Sequence, residues 1–208
     1  EGLFYVQDPA ARSAISIAEL KPGMNVLDAC SAPGGKSFAA AIAMQNNGSI
    51  LSCDLHEKKT NLIVSGAERL GISIITAKAA DARVKLNDEY DAIIADVPCS
   101  GYGVIRKKPD IRYKSEDERT TLPKIQSAIL DNLSTAVRRG GLLIYSTCTV
   151  FSEENESIIA DFLEKHSDYS AESFTLPDGR AAADGMHTFW PNVDGTDGFF
   201  AAKLIRKQ

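Results

Sequence analysis

Where its acids and cysteines fall constrains this chain more than any other feature. Short apolar runs alternate with helical patterns from end to end, and Asp28 with Cys30, Asp54, Asp81, Asp96 with Cys99, and Cys148 all stand where those runs stop. That alternation predicts a doubly wound α/β domain, with a mostly parallel, Rossmann-like sheet and helices on both faces. Open sheets of this class bind ligands outside the carboxyl ends of their strands. One edge of the predicted sheet therefore collects every candidate functional group.

The pattern predicts a helix over 9–20, a KPGM turn and the strand NVLDA at 25–29, then an Ala-rich helix over 36–45 ended by NNG. SILSCDL at 49–55 reads as the second strand, and a helix over 57–70 is stopped by Gly71. SIITAKAAD supplies a third strand ending near Asp81, and YDAIIADVPC a fourth ending near Asp96. The polar stretch 100–121 reads as one long loop, and loops of that length in compact domains are usually functional. A helix over 123–138, an RRGG turn and the strand LLIYSTC at 142–148 follow. SEENESIIADFLEKH reads as a helix capped by Ser152, with Glu153 and Glu154 favourable near its N-terminal dipole. GFFAAKLIRK at 198–207 reads as a final strand, antiparallel at or near the sheet edge.

With 208 residues and 44% apolar content, the chain suits one sizeable core, read here as a single domain over 1–208. It starts at Glu1 inside an established pattern, which suggests a piece of a longer protein. No run approaches the roughly 18 apolar residues of a membrane span, so no membrane partner and a cytoplasmic location are expected. The 23 Lys and Arg against 28 Asp and Glu are the reverse of an autonomous nucleic-acid binder's balance. The four cysteines form no CxxC motif and only 3 histidines are present, so no metal is expected.

DACSAPGGKS at 28–37 joins strand to helix through small residues, which lets backbone approach a ligand closely. Two ligand classes compete for it. In a Walker A alignment Gly35, Lys36 and Ser37 match, and IIADV imitates a Walker B strand, so a phosphate-binding NTPase is the runner-up. Against it, Cys30 replaces the turn glycine and Pro33 removes an N–H donor. GxGxxG is absent. What remains is a loop suited to a ligand with little phosphate, followed by Asp54, placed to accept both hydroxyls of a ribose. S-adenosylmethionine meets those demands.

DVPCSG at 96–101 puts Asp96 and Cys99 in one tight loop, and STC puts Cys148 at the next strand end. A cysteine beside an acid suits covalent activation of a poor carbon nucleophile such as C5 of cytosine. There a thiolate adds to C6 while an acid protonates N3. Lone cysteines are ordinarily small buried core residues, and spacing alone leaves open which of the two attacks.

DACSAPGGKS, DVPCSG, STC followed by EEN, and the terminal DGFFAAKL together resemble the motif set of the NOL1/NOP2/Sun family of RNA cytosine-C5 methyltransferases. GLFYVQDPAA and GVIRKKPDIRY are most similar to its bacterial Sun/Fmu branch, which acts on 16S ribosomal RNA. The resemblance implies a class I methyltransferase in which Cys30, Ser31, Ala32, Pro33, Gly34, Gly35, Lys36, Asp54, Asp81 and Asp96 contact S-adenosylmethionine. It implies Cys148 as nucleophile, Cys99 as the group that assists product release, and Asp96 as a contact to the base. It also implies an upstream RNA-binding domain. Arg106, Lys107, Lys108 and Arg112, with Lys114 and the interleaved Tyr102 and Tyr113, are the basic and aromatic concentration expected to meet RNA. A non-enzymatic assembly factor on the same fold would be expected to lose Asp96 or one of the two cysteines.

Overall fold

The computed structural model describes residues 2–208, and for residues 116–119 the backbone alone. After α1 (Pro9–Ser16) come β1 (Asn25–Asp28), α2 (Gly35–Ala43), β2 (Ser49–Asp54), α3 (Glu57–Arg69), β3 (Ile75–Ala79) and β4 (Tyr90–Asp96). The second half comprises α4 (Glu116–Ser134), β5 (Val137–Thr147), α5 (Glu156–Lys165), β6 (Tyr169–Ala171), β7 (Phe174–Thr175), β8 (Ala181–Ala182), β9 (Met186–Phe189), α6 (Pro191–Asp194) and β10 (Phe199–Arg206). The sheet runs β3-β2-β1-β4-β5-β10-β6, parallel as far as β5, and β9 also pairs with β10. β7 and β8 form a separate antiparallel pair.

Strand alternation divides the core. Val26, Ala92, Ile94, Ile144 and Ala201 face the side covered by α1 and α2, whereas Leu27, Ile93, Leu143, Tyr145 and Phe200 face α4 and α5. Phe38 of α2 locks α3 beside it through Ile63 and Ala67. The expected helices on both faces are present. Because β2 lies on one side of β1 and β4 on the other, the strand order reverses between β1 and β4, which opens a crevice at their C-terminal ends.

Several boundaries differ from expectation. α1 stops at Ser16 rather than at 20. The polar stretch 100–121 is not one loop: it holds two 3-10 turns, Tyr102–Val104 and Pro109–Tyr113, and its tail is already α4. Pro123 was expected to start that helix but lies inside it, at the eighth residue, where it has no N–H to give to the helix ladder. β5 begins at Val137, which pairs with Tyr90; the RRGG segment forms the irregularity that follows, and pairing resumes at Ala92 and Leu142. Ser152 opens a 3-10 turn, and Asn155 occupies the N-cap of α5. β10 is antiparallel and near the edge as expected, lying between β5 and the edge strand β6. No pattern foretold β6 to β9, whose strands have two to four residues, too few for a period to show. Among the described residues no helix is long and apolar enough to cross a membrane.

Candidate active site

The loops after β1, β2 and β4 enclose a cleft of about 330 Å³ at the strand-order reversal. Cys30 and Ala32, Asp54, and Asp96 with Pro98 line it, as do Leu55, His56 and Lys59, which the sequence reading did not single out. Asp54 is nearly buried and aimed by backbone: its carboxylate accepts from the N–H groups of Ala32 at 3.3 Å and His56 at 3.0 Å. Lys59 stands 4.0 Å away.

The rest of the glycine loop does other work. The Ser31 N–H and hydroxyl both donate to the carbonyl of Cys53, at 2.7 and 2.9 Å, tying β1's loop to β2. Gly34 has φ 111°, and a Cβ there would lie 2.5 Å from the Phe38 ring, so only glycine allows α2 to start against that ring. Lys36 is buried and reaches across the sheet edge, with Nζ 2.7 Å from Asp96 and 5.1 Å from the centre of the Phe199 ring. Ser31, Pro33, Gly34, Gly35 and Lys36 do not line the cleft. Nor does Asp81, whose carboxylate is bound by Arg83 at 2.6 Å and held below its ordinary range by those hydrogen bonds.

The second half of the site forms where β4 and β5 end side by side. Asp96 accepts from the Ser146 hydroxyl at 2.7 Å with one oxygen and from Lys36 with the other. The Cys99 and Cys148 sulfurs lie 3.1 Å apart, and the Cys148 N–H donates to the Cys99 sulfur at 3.2 Å. That hydrogen bond from Cys99 pulls the Cys148 thiol below its ordinary value, and the Lys36 ammonium adds to the effect. Cys99 moves the opposite way, raised by the hydrogen bond to Cys148 and by burial. Of the two neighbouring thiols, Cys148 is the more acidic.

Three loops close around this pair. Gly103 donates to the Cys148 carbonyl at 2.9 Å, and Gly198 donates to the Gly103 carbonyl at 2.9 Å. A Cβ on Gly103 would sit 1.9 Å from the Gly198 carbonyl oxygen, so the approach requires glycine.

The basic residues after Gly103 are not a free cationic patch. Arg106 and Lys107 both pair with the nearly buried Asp197, at 3.2 and 2.6 Å, and Lys107 also reaches Asp8 at 3.0 Å. Arg112 donates to the Pro109 carbonyl at 3.0 Å and lies 5.9 Å from the centre of the Tyr113 ring. Lys114 donates to the Ser100 carbonyl at 3.0 Å, and Lys108 is exposed. Among the described residues no group of three or more His, Cys, Asp or Glu is placed to hold a metal ion.

The family model described as 16S rRNA methyltransferase RsmB/F matches residues 15–205. The chain belongs to this family. Among curated relatives of the RsmB/F chain is the probable ribosomal RNA small subunit methyltransferase B of Bacillus subtilis, 41% identical over 216 residues. That match takes in 99% of this chain and 48% of the relative, so the chain spans about half the length of the curated relatives it matches. NSun6 from Pyrococcus horikoshii, solved with SFG, superposes with a TM-score of 0.89 at 28% identity over 100% of this chain and 54% of that one. A methyltransferase homolog protein of the same organism superposes at 0.83 with 29% identity, over 100% of this chain and 69% of its own. These RsmB/F-family likenesses agree with the Rossmann-like methyltransferase architecture expected from the strand and helix alternation.

Proposed function

We propose that this domain transfers a methyl group from S-adenosylmethionine to C5 of a cytosine in small-subunit ribosomal RNA, through a covalent adduct between Cys148 and C6. The observation that carries the proposal is the coupled Cys99–Cys148 pair, 3.1 Å between sulfurs, beside the Lys36–Asp96 ion pair at the mouth of the cleft. The names of the relatives support ribosomal RNA as substrate. The SFG in the NSun6 structure, an S-adenosylmethionine analogue, supports the cofactor.

The cleft suits an adenosyl group without phosphates. Asp54 presents a fixed carboxylate for ribose hydroxyls, while Lys36, which a P-loop would extend to phosphate, is committed to Asp96. That commitment disfavours the NTPase alternative. Cys30, Ala32 and Pro98 would contact the cofactor, and bound S-adenosylmethionine would supply an electrophilic methyl group.

Cys148, as thiolate, attacks C6 while the Lys36 ammonium gives a proton through Asp96 to N3; electron density then accumulates at C5. After methyl transfer the C5–H bond breaks, its electron pair forms C5=C6, and the C6–S pair returns to Cys148. Cys99, which gives its thiol proton to solvent once Cys148 is bound as a thioether, takes the C5 proton as thiolate, and the N3 proton returns through Asp96 to Lys36. That proton transfer restores the resting thiol–thiolate contact. Two side-by-side cysteines of opposite acidity suit this division better than an assembly factor without catalysis.

We also assign RNA capture mainly to sequence upstream of this domain, since Arg106 and Lys107 are already neutralised by carboxylates. The test uses labelled RNA, S-adenosylmethionine and denaturing gels. Cys148→Ala should give neither adduct nor product, and Cys99→Ala should methylate and then accumulate RNA-linked protein. The reverse outcome would exchange their roles.

A further inference from the structure

The EEN triplet after Cys148 hides a carboxylate that no step above uses. Glu154 is 2% exposed, and among the described residues no lysine, arginine or histidine pairs with it. Its Oε2 accepts instead from the Ser100 N–H at 2.9 Å and from the Gln126 side-chain amide at 2.9 Å. Gln126, fully buried on α4, donates from the same nitrogen to the Pro98 carbonyl at 3.0 Å. Cys99 is thus gripped from both sides: its preceding carbonyl by Gln126 and its following N–H by Glu154. The Ser100 hydroxyl donates to Thr149 at 2.9 Å, so the same grip reaches the residue after Cys148.

A buried carboxylate without a cation is expensive, and an apolar residue of similar size would commonly serve stability as well or better. Gln126 also leaves its Oε1 with no hydrogen-bond partner, a second unfavourable group in the same knot. Both groups fix the backbone of one residue, Cys99. We infer that Glu154, with Gln126, is a positioning residue for the release step: it holds the Cys99 sulfur against that of Cys148, where the C5 proton must be taken. Loss of the grip would leave Cys148 free to attack, because Cys148 is set by β5 and by its own contact to Gly103.

The inference rests on the roles proposed above for the two cysteines, and Cys99→Ala serves as the reference. In the full-length protein, Glu154→Ala should behave as a partial Cys99→Ala: methyl transfer in a single turnover within about threefold of the parent, multiple turnover down about tenfold or more, and RNA-linked protein retained on denaturing gels. Glu154→Gln should restore turnover to within about twofold, because one amide oxygen can accept both hydrogen bonds that Oε2 accepts now. Gln126→Met, which keeps volume and removes the donor to Pro98, should trap RNA to a smaller extent and decides the question if Glu154→Ala does not fold. A variant that is merely destabilised would lose single-turnover methylation and trap nothing. If Cys99→Ala traps RNA while neither Glu154→Ala nor Gln126→Met does, the positioning role is wrong and the cysteine roles stand. If Cys99→Ala itself traps nothing, both fall.

Discussion

The sheet edge carries the same two residue types twice, and they behave differently. At the ends of β1 and β2, Asp28, Cys30, Cys53 and Asp54 form a quiet region. Burial pushes the Cys30 thiol far above its ordinary value and that of Cys53 up to about 11. Asp28 is fully buried, accepts from the Ser37 hydroxyl at 2.6 Å and from the Cys30 backbone N–H, and is pushed up to about 7 by burial, with Asp96 adding to the shift. At the ends of β4 and β5, Asp96 has Lys36 and Ser146, and Cys148 has a thiol donor and a nearby ammonium. A cysteine or an aspartate at a strand end is therefore inert or reactive according to which donors face it. Strand-end position nominates a residue, and partners assign its chemistry.

The largest test of this contrast is methyl transfer itself. Cys148→Ala should lower the rate on the order of 10³-fold or more, and Cys30→Ala or Cys53→Ala by far less. Equal losses would erase the distinction between the two regions.

Asp28 offers the next largest effect. Its folded pKa is raised from 3.8 to about 7, so its protonation supports the fold at low pH, and stability is lost as pH rises between those values. Above pH 7 the cost levels off at roughly 4 kcal/mol as an upper figure. Asp28→Asn removes that titration, so its stability relative to the parent should climb between pH 5 and pH 8 in chemical denaturation. A difference independent of pH would mean that Asp28 is not perturbed in this way.

Alkylation reads the cysteines directly. Only thiolate reacts, so at pH 8 iodoacetamide should modify Cys148 at least about 100-fold faster than Cys53 or Cys30. Lys36→Met should narrow that ratio by raising the Cys148 pKa. Preferential labelling of Cys30 or Cys53 would reverse the comparison.

The smallest effect concerns binding. Asp54→Ala should weaken S-adenosylmethionine binding by about 1 to 3 kcal/mol in calorimetry, through lost hydrogen bonds to ribose. Cys148→Ala should leave it nearly unchanged, and ATP should give no heat. If Cys148→Ala weakens the cofactor as much as Asp54→Ala does, the two halves of the site are not separable.

Strand ends were legible because they are local. A four- to seven-residue apolar run followed by Asp, Cys or Gly marks its own stop, so Asp28, Asp54, Asp96 and Cys148 fell where the sequence put them. Motif content likewise sufficed to bring Asp96, Cys99 and Cys148 into one hypothesis. Lys36 was legible only as part of a glycine loop, since its partner Asp96 lies three strands later in the chain and no local pattern encodes the pairing. Glu154 read as an acid favouring a helix dipole; its burial against Ser100 and Gln126 depends on where α4 lies over the sheet. The basic run after Gly103 read as an open cationic surface, and Asp8 and Asp197, distant in sequence, neutralise Arg106 and Lys107. Sequence alone determined the alternation, the sheet edge and the candidate chemistry, because backbone periodicity and turn preferences act over a few residues. Only the tertiary structure decided which thiol is the more acidic and which lysine meets which acid. Hydrogen bonding and desolvation depend on groups a few ångströms apart in space, whatever their separation along the chain.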